Sequence, residues 1–366
     1  MSLSLRAFRH FDYILTVAIA MLVIIGIMMI ASATRDVASL ADRVSSQIQY
    51  GIVGLIVMII VTLIDYRLLT SLYLWIYLGT VLILAIVGLL GTEGEAGAQS
   101  WLNFGIAGFQ PSELAKVLLV IVLAQQLTNA AERINRLGTI LISLGFVAIP
   151  VFFIFIQPDL GITILVMVTW FVMVWVAGMR WQHVLLFVAV GLVLAPIVWG
   201  QMEDYQRSRI TVFINPESDP DAFFNIDQAL IAIGNGGLLG RGYMQGSQSQ
   251  LRFLRVRHTD FIFAVLAEEF GFIGAIGVMA LMLVVILRIL RAARLAPDMA
   301  GSLICYGMAT IIFFQTLVSI GMNVRLMPVT GLTLPFVSSG GSSLVTLLLG
   351  VGLVQSILIR SSPRDL

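Results

Sequence analysis

The sequence predicts an all-α, polytopic integral membrane protein of about ten transmembrane helices, with one large folded extracytoplasmic loop between spans seven and eight. Three observations carry that expectation. Hydrophobic residues make up 59% of the 366 residues and charged residues only 11%, against about 25% charged in soluble domains. Mean hydropathy is +1.00. Apolar runs of spanning length recur along the whole chain, and polar residues collect in a single long interval at 201–259.

The runs lie at about 13–31, 46–64, 68–90, 112–129, 137–156, 160–178, 181–200, 261–287, 300–323 and 343–360. A helix needs about 20 apolar residues to cross the hydrocarbon core. Lipid cannot satisfy backbone polar groups, so an open chain crosses as helices. The first run ends near Ala31-Ser32-Ala33, which resembles a signal-peptidase site, but the run exceeds a signal h-region and reads as a retained span. The chain reads as a single transmembrane domain over 1–366 that contains the 201–259 loop.

Basic residues in the short loops set the orientation. Arg6, Arg9, Arg67, Arg133, Arg136, Arg180, Arg288, Arg291, Arg294, Arg360 and Arg364 fall on one side, and Arg35, Arg43 and Arg325 on the other. Both termini are therefore expected in the cytoplasm. The 201–259 loop is too long for this rule and is left out of it. Its aromatic and aliphatic content argues for a folded segment rather than a disordered linker, with helical or interfacial character at Ile226–Ile233.

Composition excludes several classes of function. The net charge of +1 and the absence of a basic block argue against nucleic acid as a partner. One cysteine, Cys305, allows no disulfide within the chain, and the three histidines show no ligand spacing. The stretch Gly234–Gly242 lacks the ending of a nucleotide-binding P-loop. No organic cofactor is expected.

Charges at the edge of spans are costly and mark candidate functional positions. Glu113 and Lys116 open the fourth span, Asp159 the sixth, and Asp260, Glu268 and Glu269 the eighth. Even-numbered spans start at the outer face, so these groups and the Ser/Gly run Ser338–Ser343 ahead of the tenth span fall on one side. Helix N-termini gathered there, with their free N–H groups, suit a phosphate or diphosphate. Each feature also has a structural reading. Glu113 and Lys116 can pair at i, i+3, the Ser/Gly run can pack helices closely, and Asp260 can be a plain N-cap. Glu268 lies about 12 Å deeper than Asp260 on a common helix and about 80° round from it, so the two can face one cavity. Glu269 points the other way, toward packing or a neighbouring helix. From these residues alone, two classes remain: an outward-facing enzyme acting on a lipid-linked anion with an aspartate base, and a transporter or flippase for such a lipid. The one-sided charges and the lack of matched halves favour the enzyme.

The stretches FQPSELAK (Phe109–Lys116), QPDLG (Gln157–Gly161), DYQRSR (Asp204–Arg209), NPESDP (Asn215–Pro220), Gln228 with IAIGNGG (Ile231–Gly237), GSQSQL (Gly246–Leu251), RHTDFIFAVLAEE (Arg257–Glu269) and MPVTGLTLP (Met327–Pro335) together resemble the SEDS family (shape, elongation, division and sporulation) from the first span to the last. GSQSQL before RHTDF, and the arrangement from Ser319–Met322 to MPVTG, resemble its rod-shape branch more than its division branch.

The resemblance implies a peptidoglycan glycosyltransferase that polymerises lipid II on the outer face of the bacterial cytoplasmic membrane, within the elongation machinery. It also implies a class B penicillin-binding protein as partner. The family's key aspartate falls on Asp260 and its sensitive glutamate and lysine on Glu113 and Lys116. Asp260 is then the expected base for the acceptor sugar 4-hydroxyl. Arg207, Arg209, Lys116, helix N-termini or a divalent cation, magnesium or manganese, are expected to hold the leaving diphosphate. Asp159, Gln228, His258, Thr259, Glu268, Ser338, Gly340, Gly341 and Ser342 complete the expected supporting set. Lipid II flipping is the alternative, and a pure scaffold comes third. The chain departs from the family pattern at Arg255-Val256, at Ser338-Ser339-Gly340-Gly341 and at Ser319. The first departure adds positive charge beside Asp260.

Overall fold

The computed structural model describes residues 10–35, 40, 42–90, 92–93, 99–103, 108–251, 253–254 and 256–361. Arg6, Arg9, Arg252, Arg255 and Arg364 lie outside them. The described helices are α1 (Tyr13–Ala33), α2 (Arg43–Leu63), α3 (Tyr66–Ser71), α4 (Tyr73–Leu90), α5 (Pro111–Asn129), α6 (Leu137–Ile156), α7 (Leu160–Val176), α8 (Trp181–Gln201), α9 (Asp204–Ile214), α10 (Pro220–Gly236), α11 (Ser247–Gln250), α12 (Ile262–Leu295), α13 (Met299–Asn323) and α14 (Gly341–Leu358). Among them, α1, α2, α5, α6, α8, α12, α13 and α14 are long and apolar enough to cross a membrane, while α7 and the Tyr73–Gly88 part of α4 are shorter apolar helices. The protein is an all-α polytopic membrane protein. One addition was not legible in the sequence: three short antiparallel strands, β1 (Thr92–Glu93), β2 (Gln99–Asn103) and β3 (Gly108–Phe109), join α4 to α5 in the order β1-β2-β3. Leu102 pairs with Phe109 and Asn103 with Gly108.

Burial separates central from peripheral helices. α5, α13 and α14 are mostly enclosed, whereas α8 buries no residue at all and presents Leu192 and Val193 fully outward. The polar content of α5 is therefore carried inside the bundle, where partners exist, and not on a lipid-facing surface. α14 packs along α2 through small residues. A Cβ built on Gly352 would stand 2.7 Å from the Met58 carbonyl, so only glycine allows that approach.

α12 is broken at Gly271, whose φ of 67° and ψ of −165° are non-helical. A break inside a helix leaves carbonyls and N–H groups without their i, i+4 partners. The glycine-rich segment 237–242 supplies them. Arg241 and Gly242 donate their N–H groups to the carbonyls of Glu268 and Glu269 at 2.9 and 3.0 Å, and Phe272 and Ile273 donate to the carbonyls of Gly237 and Leu238 at 2.9 and 3.2 Å. The backbones run so close that a Cβ on Gly271 would sit 2.6 Å from the Leu238 carbonyl oxygen. Gly234–Gly242 is thus a structural splint for α12.

The 201–259 segment is folded. α9 and α10 close over the start of α12 with Val212, Ile226, Ala229, Ala232, Leu254, Phe261, Ala264 and Val265 as a separate small core. Ile226–Ile233, expected to be helical, lies within α10.

At the opposite end of the bundle, polar contacts latch helix ends together. Arg288 on α12 pairs with Asp12, the N-cap of α1, at 2.6 Å, and Asp12 and Gln355 exchange hydrogen bonds at 2.9 and 3.0 Å. Asp298, the N-cap of α13, accepts from the Tyr66 hydroxyl at 2.6 Å, from Arg67 Nε at 3.0 Å and from the Gly301 N–H at 2.8 Å. Burial alone would raise the Asp298 carboxyl pKa, but these donors outweigh it and hold the carboxyl below its ordinary range.

Two outcomes follow. Gly271→Ala places a side chain in a left-handed conformation against backbone, at a cost on the order of 1–3 kcal/mol, and should lower the melting temperature in detergent and raise amide exchange at Arg241 and Gly242; unchanged exchange there would refute the splint. Because the Asp298 carboxyl is depressed on folding, its contribution is fully present above the unfolded value of about 3.9 and is lost as pH falls through the folded value. Asp298→Asn should therefore flatten the loss of thermal stability below about pH 4.

Candidate active site at the converging helix starts

Pro111 sits in the first turn of α5, where its missing N–H costs nothing. Glu113 follows in that turn, and Lys116, one turn deeper, pairs with it; their side chains are 7% and 1% exposed. A lone ion at that depth would be severely destabilising, so each is tolerated because of the other. Gln110, just ahead of α5, ties this start to two more. Its Nε2 donates to Asp159 Oδ2 at 3.0 Å and its backbone N–H to Ser342 Oγ at 3.0 Å. Asp159 is the N-cap of α7, its Oδ1 accepting from the Ile162 N–H at 3.0 Å.

The starts of α12 and α14 are joined in the same way. Ser338 Oγ donates to the Thr259 carbonyl at 2.8 Å and accepts from the Leu334 N–H at 3.0 Å, while the Ser339 N–H donates to the His258 carbonyl at 3.0 Å. Gln47 of α2 donates to the Ser338 carbonyl at 3.3 Å and accepts from the Gly340 N–H at 3.4 Å. Gly340 is the N-cap of α14, and Gly341 lies against the ring of Tyr50, with no room for a Cβ. The N-terminal ends of α5, α7, α12 and α14 therefore meet at one end of the bundle, and each brings positive dipole character.

α9 lays a cation over this end. The Arg209 guanidinium stacks on the Tyr205 ring at 4.8 Å, and Tyr205 donates its hydroxyl to the Pro158 carbonyl at 3.0 Å. Tyr205 is within electrostatic range of Arg209, Asp159 and Asp260, and Asp159 within that of Glu113, Lys116 and Arg209. Burial pushes the Tyr205 phenol pKa up; Arg209 opposes the rise, and Asp159 and Asp260 add to it. The phenol remains a proton donor at neutral pH. Arg209, Asp159 and Asp260 thus act on Tyr205, and Asp159 links them to the Glu113–Lys116 pair.

Other residues singled out in the sequence are placed apart from that group. Arg207 donates to the carbonyls of Trp199 and Gly200 at 3.1 and 2.9 Å and pairs with Asp204, so it caps the C-terminal end of α8. Glu268 is fully buried and accepts from Ser247 Oγ, the Gln248 N–H and the Ser249 N–H at 3.0, 2.9 and 3.3 Å, which fixes the turn at 246–250. Glu269 accepts from Ser32 of α1, a neighbouring helix. Gln228 is half-buried on α10, the helix that packs across the start of α12. His258 is buried, and Thr259 and Asp260 are half-buried.

The model of the FtsW/RodA/SpoVE cell cycle protein family matches residues 11–362. The chain belongs to this family. Among its relatives, peptidoglycan glycosyltransferase MrdB of Escherichia coli (strain K12) is 38% identical over 354 residues, covering 95% of this chain and 93% of MrdB. Stage V sporulation protein E of Bacillus subtilis (strain 168) is 35% identical over 362 residues, covering 94% and 96%. A chain of a peptidoglycan synthase complex that coordinates polymerisation and crosslinking superposes with a TM-score of 0.83 at 32% identity, covering 95% and 97%. The rod shape determining protein RodA of Thermus thermophilus superposes at 0.71 with 32% identity, covering 95% and 96%. The SEDS resemblance read from the motifs is thereby established.

Several residues that build the site carried no sequence signal. Gln47 and Asn323 are single amides at the ends of apolar runs, where polarity is ordinary, and Gln110 lies within the FQPSELAK stretch without being singled out from it. Asn323 is fully buried and bonds to the carbonyl of Asp260.

The buried pair gives a clean test. Lys116→Met leaves the Glu113 carboxylate uncompensated and should destabilise the protein by about 3–5 kcal/mol. The double variant Glu113→Gln/Lys116→Met should recover most of that loss in a detergent melting experiment; equal destabilisation of both would show that the pair does not hold α5 in place.

Proposed function

We propose that this chain is a peptidoglycan glycosyltransferase that polymerises lipid II at the outer face of the cytoplasmic membrane for cell elongation and rod shape, with Asp260 as the general base. The family, the enzyme relatives and the two superposed structures support the activity class. One observation carries the assignment of the base. Asp260 stands half-buried at the head of α12, beside the converging helix starts, and its charge acts on Tyr205 together with those of Arg209 and Asp159.

In this reading the acceptor 4-hydroxyl oxygen attacks the donor anomeric carbon as Asp260 takes its proton. The bond from that carbon to the diphosphate oxygen breaks, and undecaprenyl diphosphate leaves. A base must reach the hydroxyl it activates, and a carboxylate at the headgroup level meets a sugar there. Arg209, Lys116 and the N–H groups at the starts of α5, α7 and α14 offset the charge that develops on the leaving group. Ser342, Gly340 and Gly341 bring the start of α14 close, and His258, Thr259, Ser338 and Gln228 hold the surrounding loops.

Among the described residues there is no group of three or more His, Cys, Asp or Glu side chains that could hold a metal ion. A magnesium or manganese ion, which binds through one or two carboxylates plus phosphates, would be held here by the Asp260 carboxylate with the substrate. It would supply further neutralisation of the leaving group.

We read ten crossings, with α4 and α7 as the two shorter ones, both termini in the cytoplasm, and the 201–259 segment outside between the seventh and eighth. A class B penicillin-binding protein is the proposed partner.

The test is glycan polymerisation from purified lipid II in liposomes, with and without that partner, for the wild type, Asp260→Ala and Asp260→Asn. The wild type should polymerise, and both variants should bind lipid II but lose at least 100-fold in rate, the upper range of acid–base catalysis being about 10⁴. Full activity in Asp260→Asn would reduce Asp260 to a structural residue. Lipid II movement across the bilayer by a wild type that never polymerises would replace the enzyme with the flippase.

A further inference from the structure

α12 begins without a cap of its own: Phe261 occupies the N-cap position and makes no side-chain hydrogen bond there. The first-turn N–H groups of a helix need an acceptor, most of all when they are buried. Here the acceptor comes from another helix. Asn323, the last residue of α13, accepts the Ala264 N–H through Oδ1 at 3.1 Å. Its Nδ2 donates to the Asp260 carbonyl at 2.9 Å and to the Ser319 carbonyl, one turn back on its own helix, at 2.7 Å. Asn323 is fully buried, so it has no water to exchange with. One amide therefore grips the chain on both sides of the turn that leads from Asp260 into α12, and anchors it to a central helix.

We propose that Asn323 is a positioning residue for the glycosyl transfer, holding the backbone of Asp260 at the depth and angle from which its carboxylate meets the acceptor hydroxyl. This rests on Asp260 being the base. The amide is suited to the task because a single planar group supplies both an acceptor and a donor. Without it, the Asp260 carbonyl would lose its amide donor, the Ala264 N–H would keep only the Phe261 carbonyl at 3.1 Å, and the turn 259–261 would relax. A misplacement of about 1 Å costs on the order of 100-fold in rate.

Two variants separate positioning from folding. Asn323→Leu keeps the branching at Cγ and removes all three side-chain hydrogen bonds. Asn323→Asp keeps the acceptor for the Ala264 N–H and loses the donor to the Asp260 carbonyl, so it preserves the helix start and carries the test should Asn323→Leu fail to fold. Both are assayed for polymerisation with the partner present, with lipid II binding measured separately. The expected result is a kcat lowered roughly 10- to 100-fold in each, KM and lipid II binding within about twofold, and faster amide exchange over 259–261. Wild-type kcat in folded Asn323→Asp overturns the proposal, as does a loss confined to KM or to melting temperature. A failure of the base assignment shows differently: Asp260→Asn then polymerises normally, whatever Asn323 does.

Discussion

The outer half of this molecule depends on how the break in α12 is satisfied. A helix interrupted within a membrane exposes polar backbone where water is scarce, and each unpaired group costs several kcal/mol. The break at Gly271 persists because 237–242 runs alongside it and exchanges four hydrogen bonds with residues 268, 269, 272 and 273. That contact fixes more than itself. It sets the end of α10 against α12, and the chain leaving it forms the 246–250 turn that the Glu268 carboxylate holds. The first nine residues of α12, all but Phe270 buried, become an element separate from the lipid-facing remainder. Asp260 stands at the head of that element. The glycine break lies eleven residues further along the chain, with the segment that splints it.

Charge placement follows the same economy of buried polarity. Four acids near the site are matched locally: Glu113 with Lys116, Asp159 with two N–H donors, Glu268 with a turn, and Glu269, through one oxygen, with Ser32. Matching neutralises the cost of burial and also fixes the orientation of the helix that bears each group. Asp260 is half-buried, and its backbone is held by Asn323.

The sequence displayed the helices well because a span is a long, periodicity-free apolar run, and every such run corresponds to a described helix or pair of helices. α11 and the three strands carried no such signal, since elements of two to five residues are decided by tertiary contact. The role of Gly234–Gly242 was invisible for a related reason. A glycine run reports that backbone comes close to something, without saying to what. Glu268 illustrates the limit of helix geometry: its angle round α12 allowed it to share a cavity with Asp260, but the turn at 246–250 arrives from a distant stretch of chain and takes its carboxylate. Arg207 likewise lies in the motif with Arg209, two residues apart, and that spacing on a helix turns them about 200° from each other. One meets Tyr205 at the site and the other caps α8.

The distribution of polar contacts between the two ends of the bundle also bears on what kind of machine this is. A carrier for a diphosphate-linked lipid needs a polar route to the midplane and ends that open in turn. Here the opposite end is latched by Arg288 with Asp12, Arg67 with Asp298 and Arg360 with Asp65, the last at 3.3 Å. Between that latch and the site, the enclosed faces of α5, α13 and α14 are dominated by Val, Leu, Ile and Met side chains in one continuous apolar core. Passage of a diphosphate through this region would strip its hydration against hydrocarbon with no ion to receive it. The charges that suit an anion are confined to the end where four helices begin. A site gathered at one face of a closed bundle suits a reaction carried out in the headgroup layer, with the lipid tail left in the membrane and the product released on the side from which the substrate came.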